Sequence, residues 1–179
     1  MLIMILEQKY KALLAGADAA LPLAQMRLCF EVLALAGAID RDCASRLGAH
    51  QLSEGKFVLL YLLARAPDGL SPYELAEQAG VTRATVTGLL DGLERSHLVQ
   101  RHAHPEDRRR LTIRLSAEGR KMSEKLVAQH NRWIGSLFAD FTPEEGAELS
   151  RLLDKAFART DAGRQGAQAG AHMQEPADG

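Results

Sequence analysis

Between Leu70 and Arg101 a few small, capping and apolar residues are spaced so that two short helices must cross through a tight turn. Ser71-Pro72-Tyr73-Glu74 is a capping box with proline at the first helical position, so a helix starts there. Ala76 is small enough to let a second helix cross the first, and Gly80 supplies the positive φ that a tight turn demands and a Cβ resists. Thr82 is the expected cap of the second helix. From it Val86, Leu89, Leu90 and Leu93 recur at i, i+3, i+4 and i+7, which makes a buried stripe with Val86 stapling one helix onto the other. Two helices crossing at about 90–120° through a turn of about 3–4 residues form a helix-turn-helix.

Turning that stripe inward leaves Arg83, Ala84, Thr85, Thr87, Gly88, Asp91 and Arg95 on the open face or its margins. Gly88 and Gly92 each cost a helix interior about 1 kcal/mol relative to alanine. That cost fits a face approached closely by a nucleic-acid backbone or base edge better than a plain solvated one. Arg83 has the fork that matches guanine O6 and N7, while Ala84 and the Thr87 methyl suit a thymine methyl group. Asp91 does not belong against a phosphate; it is expected to orient an arginine or to accept from cytosine.

After Leu93 the chain reads as a helix end followed by a strand, with His97 at a left-handed position where glycine is the easy choice. In the next strand Leu111, Ile113 and Leu115 face one way, and Thr112 and Arg114 the other. The polar loop between them, Ala103 to Arg110, is a wing bearing Asp107, Arg108, Arg109 and Arg110. Asp107 is expected to pair with Arg109 and hold the loop in shape while an arginine reaches a narrow minor groove. From Arg95 to Arg114 six arginines face two carboxylates, a local charge of +4 in a chain whose formal net charge is −1. Basic charge concentrated on one element is the electrostatic footprint of nucleic-acid binding.

The stretch from Leu52 to Gly119 resembles the MarR family of winged-helix regulators. The matching pieces are Leu52-Ser53, Leu75-Ala76, the run from Gly80 to Thr87, Leu93-Glu94, Leu98-Val99-Gln100-Arg101, Pro105-Glu106-Asp107-Arg108-Arg109 and Leu115-Ser116-Ala117-Glu118-Gly119. Met26-Arg27-Leu28-Cys29 and Gln129-His130-Asn131 look most like the EmrR (MprA) branch, which represses multidrug efflux genes and releases DNA on binding phenolic compounds. The resemblance implies base contacts from Arg83, Thr85 and Thr87 and minor-groove entry by Arg109. His97 departs from the family's usual glycine, and Ala84 and Gly88 replace its commoner polar or basic side chains.

Outside this region the chain reads as apparatus for pairing two copies. Pro22 opens a helix that runs without a strong breaker to about Leu47, about 40 Å at 1.5 Å per residue, which is long for a small monomer. Ser116 caps a helix whose face Met122, Leu126, Trp133 and Leu137 is apolar. Thr142-Pro143-Glu144-Glu145 caps a last one carrying Leu149, Leu152, Leu153 and Phe157. The expected architecture is therefore mainly α: a winged helix-turn-helix with a two-stranded β wing and long N- and C-terminal dimerisation helices. The expected divisions are 1–51 for N-terminal dimerisation helices, 52–116 for the DNA-binding region, 117–160 for C-terminal dimerisation helices, and 161–179 for a disordered tail. The apolar opening Met1 to Leu6 lacks the basic flank and length of a signal peptide, and no stretch approaches the about 20 apolar residues of a membrane span. A cytoplasmic protein is expected.

By the same resemblance an effector pocket draws on Arg27, Phe30, Phe57, Tyr61, His130 and Trp133, with aromatic walls for a small phenolic ligand and Arg27 or His130 for its anionic oxygen. No cofactor, metal site or catalytic constellation is read, and the expected partners are double-stranded DNA, a second copy and that effector. Two alternatives stay open. One is a thiol-based redox sensor on the same fold. Cys29 and Cys43 both fall in the long helix about 21 Å apart, too far for the about 4.4–6.8 Å of a disulfide within one chain, so a bridge would have to join protomers; as buried small hydrophobes they are merely packing. The other is a winged helix used only for protein contact.

Overall fold

The computed structural model describes residues 8–16, 22–103 and 111–165. Seven helices of eight residues or more and one hairpin are defined among these. They are α1 (Gln8–Ala15), α2 (Leu23–Gly48), α3 (Glu54–Ala64), α4 (Pro72–Ala79), α5 (Arg83–Arg95), β1 (Val99–Ala103), β2 (Leu111–Leu115), α6 (Ala117–Leu137) and α7 (Pro143–Phe157). The mainly helical class with a two-stranded antiparallel sheet is the expected one. The wing residues Asp107, Arg108, Arg109 and Arg110, the opening Met1 to Leu6 and residues 166–179 lie outside the described residues.

Local chemistry sets most element boundaries. Ser53, Ser71, Thr82 and Thr142 each accept from the backbone N–H three residues on. At Ser71 and Thr142 a glutamate answers from the third position, so both capping boxes are complete. Gly80 ends α4 at φ 64° with its N–H on the Glu77 carbonyl, and Val81 N–H donates to the Ala76 carbonyl. His97 takes the left-handed conformation expected of it, at φ 58°.

The chain divides into two compact units, residues 1–127 and 128–179. The first holds one apolar core built around α3, with Leu59, Leu60, Leu63, Leu75, Val86, Leu90, Leu93 and Ile113 fully buried. Three of the four stripe residues of α5 are in it, and Leu89 is half-buried at its margin, packed over Gly55 of α3. Pairing runs from Val99 with Leu115 to Ala103 with Leu111. Ile113 and Leu115 are buried as the alternation predicts, whereas Leu111 at the open end of the hairpin is 37% exposed.

A third backbone segment joins the sheet. Leu70 N–H donates to the Ile113 carbonyl at 3.0 Å and Ile113 N–H returns to the Leu70 carbonyl at 2.8 Å. Gly69 makes this approach possible: it sits at φ 84°, and a Cβ there would come within 2.5 Å of the Ile113 carbonyl oxygen. At the far end of the hairpin, Ser116 N–H donates to the Leu98 carbonyl and Ser116 Oγ donates to the His97 carbonyl while accepting from Gly119 N–H. The start of α6 is thereby bolted to the root of the wing.

The long helix is as expected. Pro22 stands at its N-cap and 26 residues follow, about 39 Å at 1.5 Å per residue. Only Ala34 and Leu47 are buried along it, and Leu23, Leu28, Val32, Leu33 and Leu35 are exposed. In the second unit α7 has no buried residue, and Leu152, Leu153 and Phe157 are each more than 40% exposed. The unstructured tail was expected from Asp161; residues 161–165 are instead helical, where Thr160 Oγ1 accepts from Gly163 N–H and Arg164 pairs with Asp161. No helix among the described residues is long and apolar enough to cross a membrane.

Candidate nucleic-acid interface

The outer face of α5 is open along its length. Arg83, Ala84, Thr85, Thr87 and Gly88 are all exposed, and a Cβ added at Gly88 would meet nothing within 4 Å. Thr85 Oγ1 lies 2.9 Å from Thr82 Oγ1, and Thr87 Oγ1 donates to the Arg83 carbonyl at 3.0 Å, so both hydroxyls are oriented by the helix itself.

Arg83 has a partner that sequence spacing did not suggest. Its guanidinium carbon sits 4.6 Å from the centroid of the Tyr73 ring, a cation–π contact between the first residue of α5 and the second of α4. Among the described residues no carboxylate pairs with Arg83. The tyrosine is 53% exposed, and no periodicity in the sequence joins it to Arg83 on the next helix.

The C-terminal end of α5 differs. Asp91 forms an ion pair with Arg101 of β1, and Glu94 reaches the same guanidinium, Arg101 Nε to Glu94 Oε2 at 3.1 Å. Asp91 thus orients an arginine, the first of the two roles expected of it. The basic footprint is correspondingly narrower than a count of arginines implies, because Arg101 is committed to α5 and Arg114 Nε donates to the Asp68 carbonyl at 3.0 Å.

Gly92 requires a correction. It is buried, and the group close to it is the end of the Lys56 side chain, whose Cε would lie 2.8 Å and Nζ 3.1 Å from an added Cβ. What covers it is the flexible tip of a lysine from α3, not an approaching nucleic acid. Gly88, by contrast, has open space where its Cβ would be.

The residues expected around an effector fall into separate local settings. Arg27 Nε donates to Glu31 Oε1 at 2.9 Å on its own helix, and lines a shallow groove of about 410 Å³ with Leu14, Leu23 and Ala24. Phe30 stacks on Tyr10 of α1 at 4.7 Å between ring centroids. Phe57 is a core residue of the first unit, and Tyr61 is half-buried with the Arg65 guanidinium 5.7 Å above its ring. In the second unit His130 and Trp133 are neighbours at 5.2 Å. Both cysteines lie on α2. Cys29 is exposed rather than buried, and Cys43 is half-buried. Burial, reinforced by the charges of Glu54 and Asp40, holds the Cys43 thiol above its ordinary pKa, which suppresses the reactive thiolate.

Comparison with known proteins agrees with this geometry. A family model described as the MarR family matches residues 52–111. The transcriptional repressor YetL of Bacillus subtilis is 43% identical over 109 residues, an alignment that covers 60% of this chain and 65% of YetL, so the chain spans just under two thirds of that relative. The homoprotocatechuate degradative operon repressor of Escherichia coli is 31% identical over 109 residues, covering 61% of this chain and 73% of that protein. Among solved structures, Streptococcus pneumoniae FabT in complex with DNA superposes with a TM-score of 0.65 at 20% identity, covering 74% of this chain and 94% of FabT. The Staphylococcus aureus MepR–DNA complex does so with a TM-score of 0.62 at 24% identity, covering 70% of this chain and 93% of MepR. These two likenesses establish the fold, and the sequence matches establish the relationship. The chain belongs to the MarR family of winged-helix transcriptional regulators.

Proposed function

We propose that the protein is a homodimeric repressor that binds pseudo-palindromic duplex DNA and is released from it by small hydrophobic or phenolic compounds. The observation that carries the reading is the outer face of α5. Arg83, Ala84, Thr85, Thr87 and Gly88 stand exposed on a helix whose opposite side, Val86, Leu90 and Leu93, is locked into the core. That helix enters the major groove, Arg83 and Thr87 meet base edges, and the wing arginines Arg108, Arg109 and Arg110, with Asp107 shaping the loop, reach the adjacent minor groove. Two related structures are of complexes with DNA, and two relatives are named as repressors.

The exposed leucines and valine of α2, and separately Leu152, Leu153 and Phe157 of α7, support a dimer, since apolar helix faces of this extent mark association surfaces. Two-fold symmetry places the recognition helices about 34–36 Å apart, one turn of DNA. Effector response is the finer part of the reading. Arg27 in the first unit, with Phe30, Phe57 and Tyr61, or separately His130 beside Trp133 in the second, is the candidate to take a phenolate, which acts only by binding the DNA-incompetent arrangement better than the competent one. The EmrR-like segments around Arg27 and His130 support it.

Fluorescence anisotropy against randomised duplex DNA tests the core of the proposal. Log affinity is expected to fall with log salt at about −0.9 per phosphate neutralised, and a selected sequence is expected to show two-fold symmetry. A flat salt response would leave a winged helix used for protein contact. Titrating salicylate-type phenols into the complex tests the effector arm, and retention of DNA at saturating phenol would remove it.

A further inference from the structure

Resting on the reading of α5 as the base-reading helix, we infer that Tyr73 is a positioning residue: its ring sets the plane of the Arg83 guanidinium so that the N–H edge is presented to one base pair in each half-site. Tyr73 and Arg83 are brought together by the turn at Gly80, with the cation 4.6 Å from the ring centroid. At this separation the guanidinium has room to lie flat on the ring, and in that parallel arrangement its five N–H donors, which lie in its plane, point outward along its edge. Guanine O6 and N7 are read by that edge, in a bidentate pair. Stacking on Tyr73 and reading a base are therefore compatible, and the ring restricts a long flexible stem before DNA arrives.

The geometry also separates positioning from support. Tyr73 is 53% exposed and is not part of the core, and the cap of α4 is made by Ser71 and Glu74 without it. Its ring stands on the surface beside the first residue of α5, outside the buried cluster. Arg101 is the contrasting case, its edge occupied by Asp91 and Glu94.

The test is selection from a pool of randomised duplexes by the full-length wild type and by variants, with thermal melts to confirm folding. Arg83→Ala is expected to lose about five- to a hundredfold preference at one base pair of each half-site. Tyr73→Leu should lose about two- to fivefold at the same pair, the equivalent of an exposed cation–π contact, with other positions and the salt slope unchanged. Tyr73→Phe keeps the ring and should match the wild type, and Tyr73→Gln repeats the ring deletion should leucine disturb the surface. Wild-type selectivity in Tyr73→Leu overturns the inference while leaving Arg83 as a base reader. So does a loss in Tyr73→Phe equal to that in Tyr73→Leu, which would assign the effect to the hydroxyl, or an equal loss at every position. If Arg83→Ala keeps every preference, the base-reading role of Arg83 itself falls and takes that of Tyr73 with it; a wild type that enriches no sequence sinks the functional reading.

Discussion

The two ends of α5 each hold an arginine against a neighbour, and they hold it in opposite ways. At the N-terminal end the Arg83 guanidinium lies over the Tyr73 ring, 4.6 Å from its centroid, and no carboxylate among the described residues takes its donors. At the C-terminal end Arg101 comes over from β1 and spends its donors on Asp91 and Glu94. An arginine stacked on an aromatic is immobilised but still available, whereas one paired with carboxylates is immobilised and neutralised. Residue type alone therefore does not mark a phosphate- or base-binding site; the chemistry of the nearest side chain decides whether the cation is left for a ligand. The first arrangement suits recognition, and the second suits holding the wing strand at a fixed angle to the helix.

The largest effect that sharpens the contrast comes from removing Arg83. Arg83→Ala should cost about 1–3 kcal/mol of discrimination at one base pair and little stability, because the residue is exposed. Competition binding against single-base-pair operator variants measures it. Equal weakening at every position would reduce Arg83 to a phosphate contact and dissolve the distinction between the two ends.

Gly88→Ala follows. The site is helical and open, so alanine should stabilise the fold by up to about 1 kcal/mol, raising Tm by about 2–4 °C for a chain of this size. The same methyl group intrudes on the face assigned to the groove, so DNA affinity should fall as Tm rises. A rise in Tm with unchanged affinity would make this stretch of α5 a plain solvated surface.

How far these features were legible in the sequence depended on how local they are. Ser71, Gly80, Thr82, His97 and Thr142 act on backbone groups within a few residues, and each adopted the cap or turn its chemistry predicts. The apolar stripe of α5 was legible because one helix carries its whole period. Gly92 was misread because a glycine in a helix announces a close approach without naming what approaches; here it is Lys56, 36 positions earlier in the chain. Gly119 is similar. Its place in Leu115-Ser116-Ala117-Glu118-Gly119 was visible, but the reason appears only in the fold, where a Cβ would run into the Leu98 carbonyl. The Leu70–Ile113 bridge and the Tyr73–Arg83 stack join separate elements, so no periodicity betrays them. The effector residues were the least legible, because their roles depend on how several elements assemble and not on any one motif.

The smallest expected effect tests the other half of the contrast. Arg101 has 31% of its side chain exposed and its two acidic partners about half of theirs. The stability contribution of each pair is thus on the order of a few tenths of a kcal/mol to 1 kcal/mol. Replacing both acids, Asp91→Asn with Glu94→Gln, keeps shape and removes charge, so a thermal melt should change little. Binding should change in a direction that a simple loss of contact does not predict. With its edge released, Arg101 becomes available to phosphate, and the slope of log affinity against log salt should steepen by up to about 0.9, the value of one additional neutralised phosphate. Non-specific affinity at low salt should rise accordingly, and discrimination should fall, since the added attraction carries no sequence information. If the slope stays as in the wild type, Arg101 is held away from DNA by the backbone geometry of β1 and not by its carboxylates, and the ion pair serves the corner between helix and strand alone.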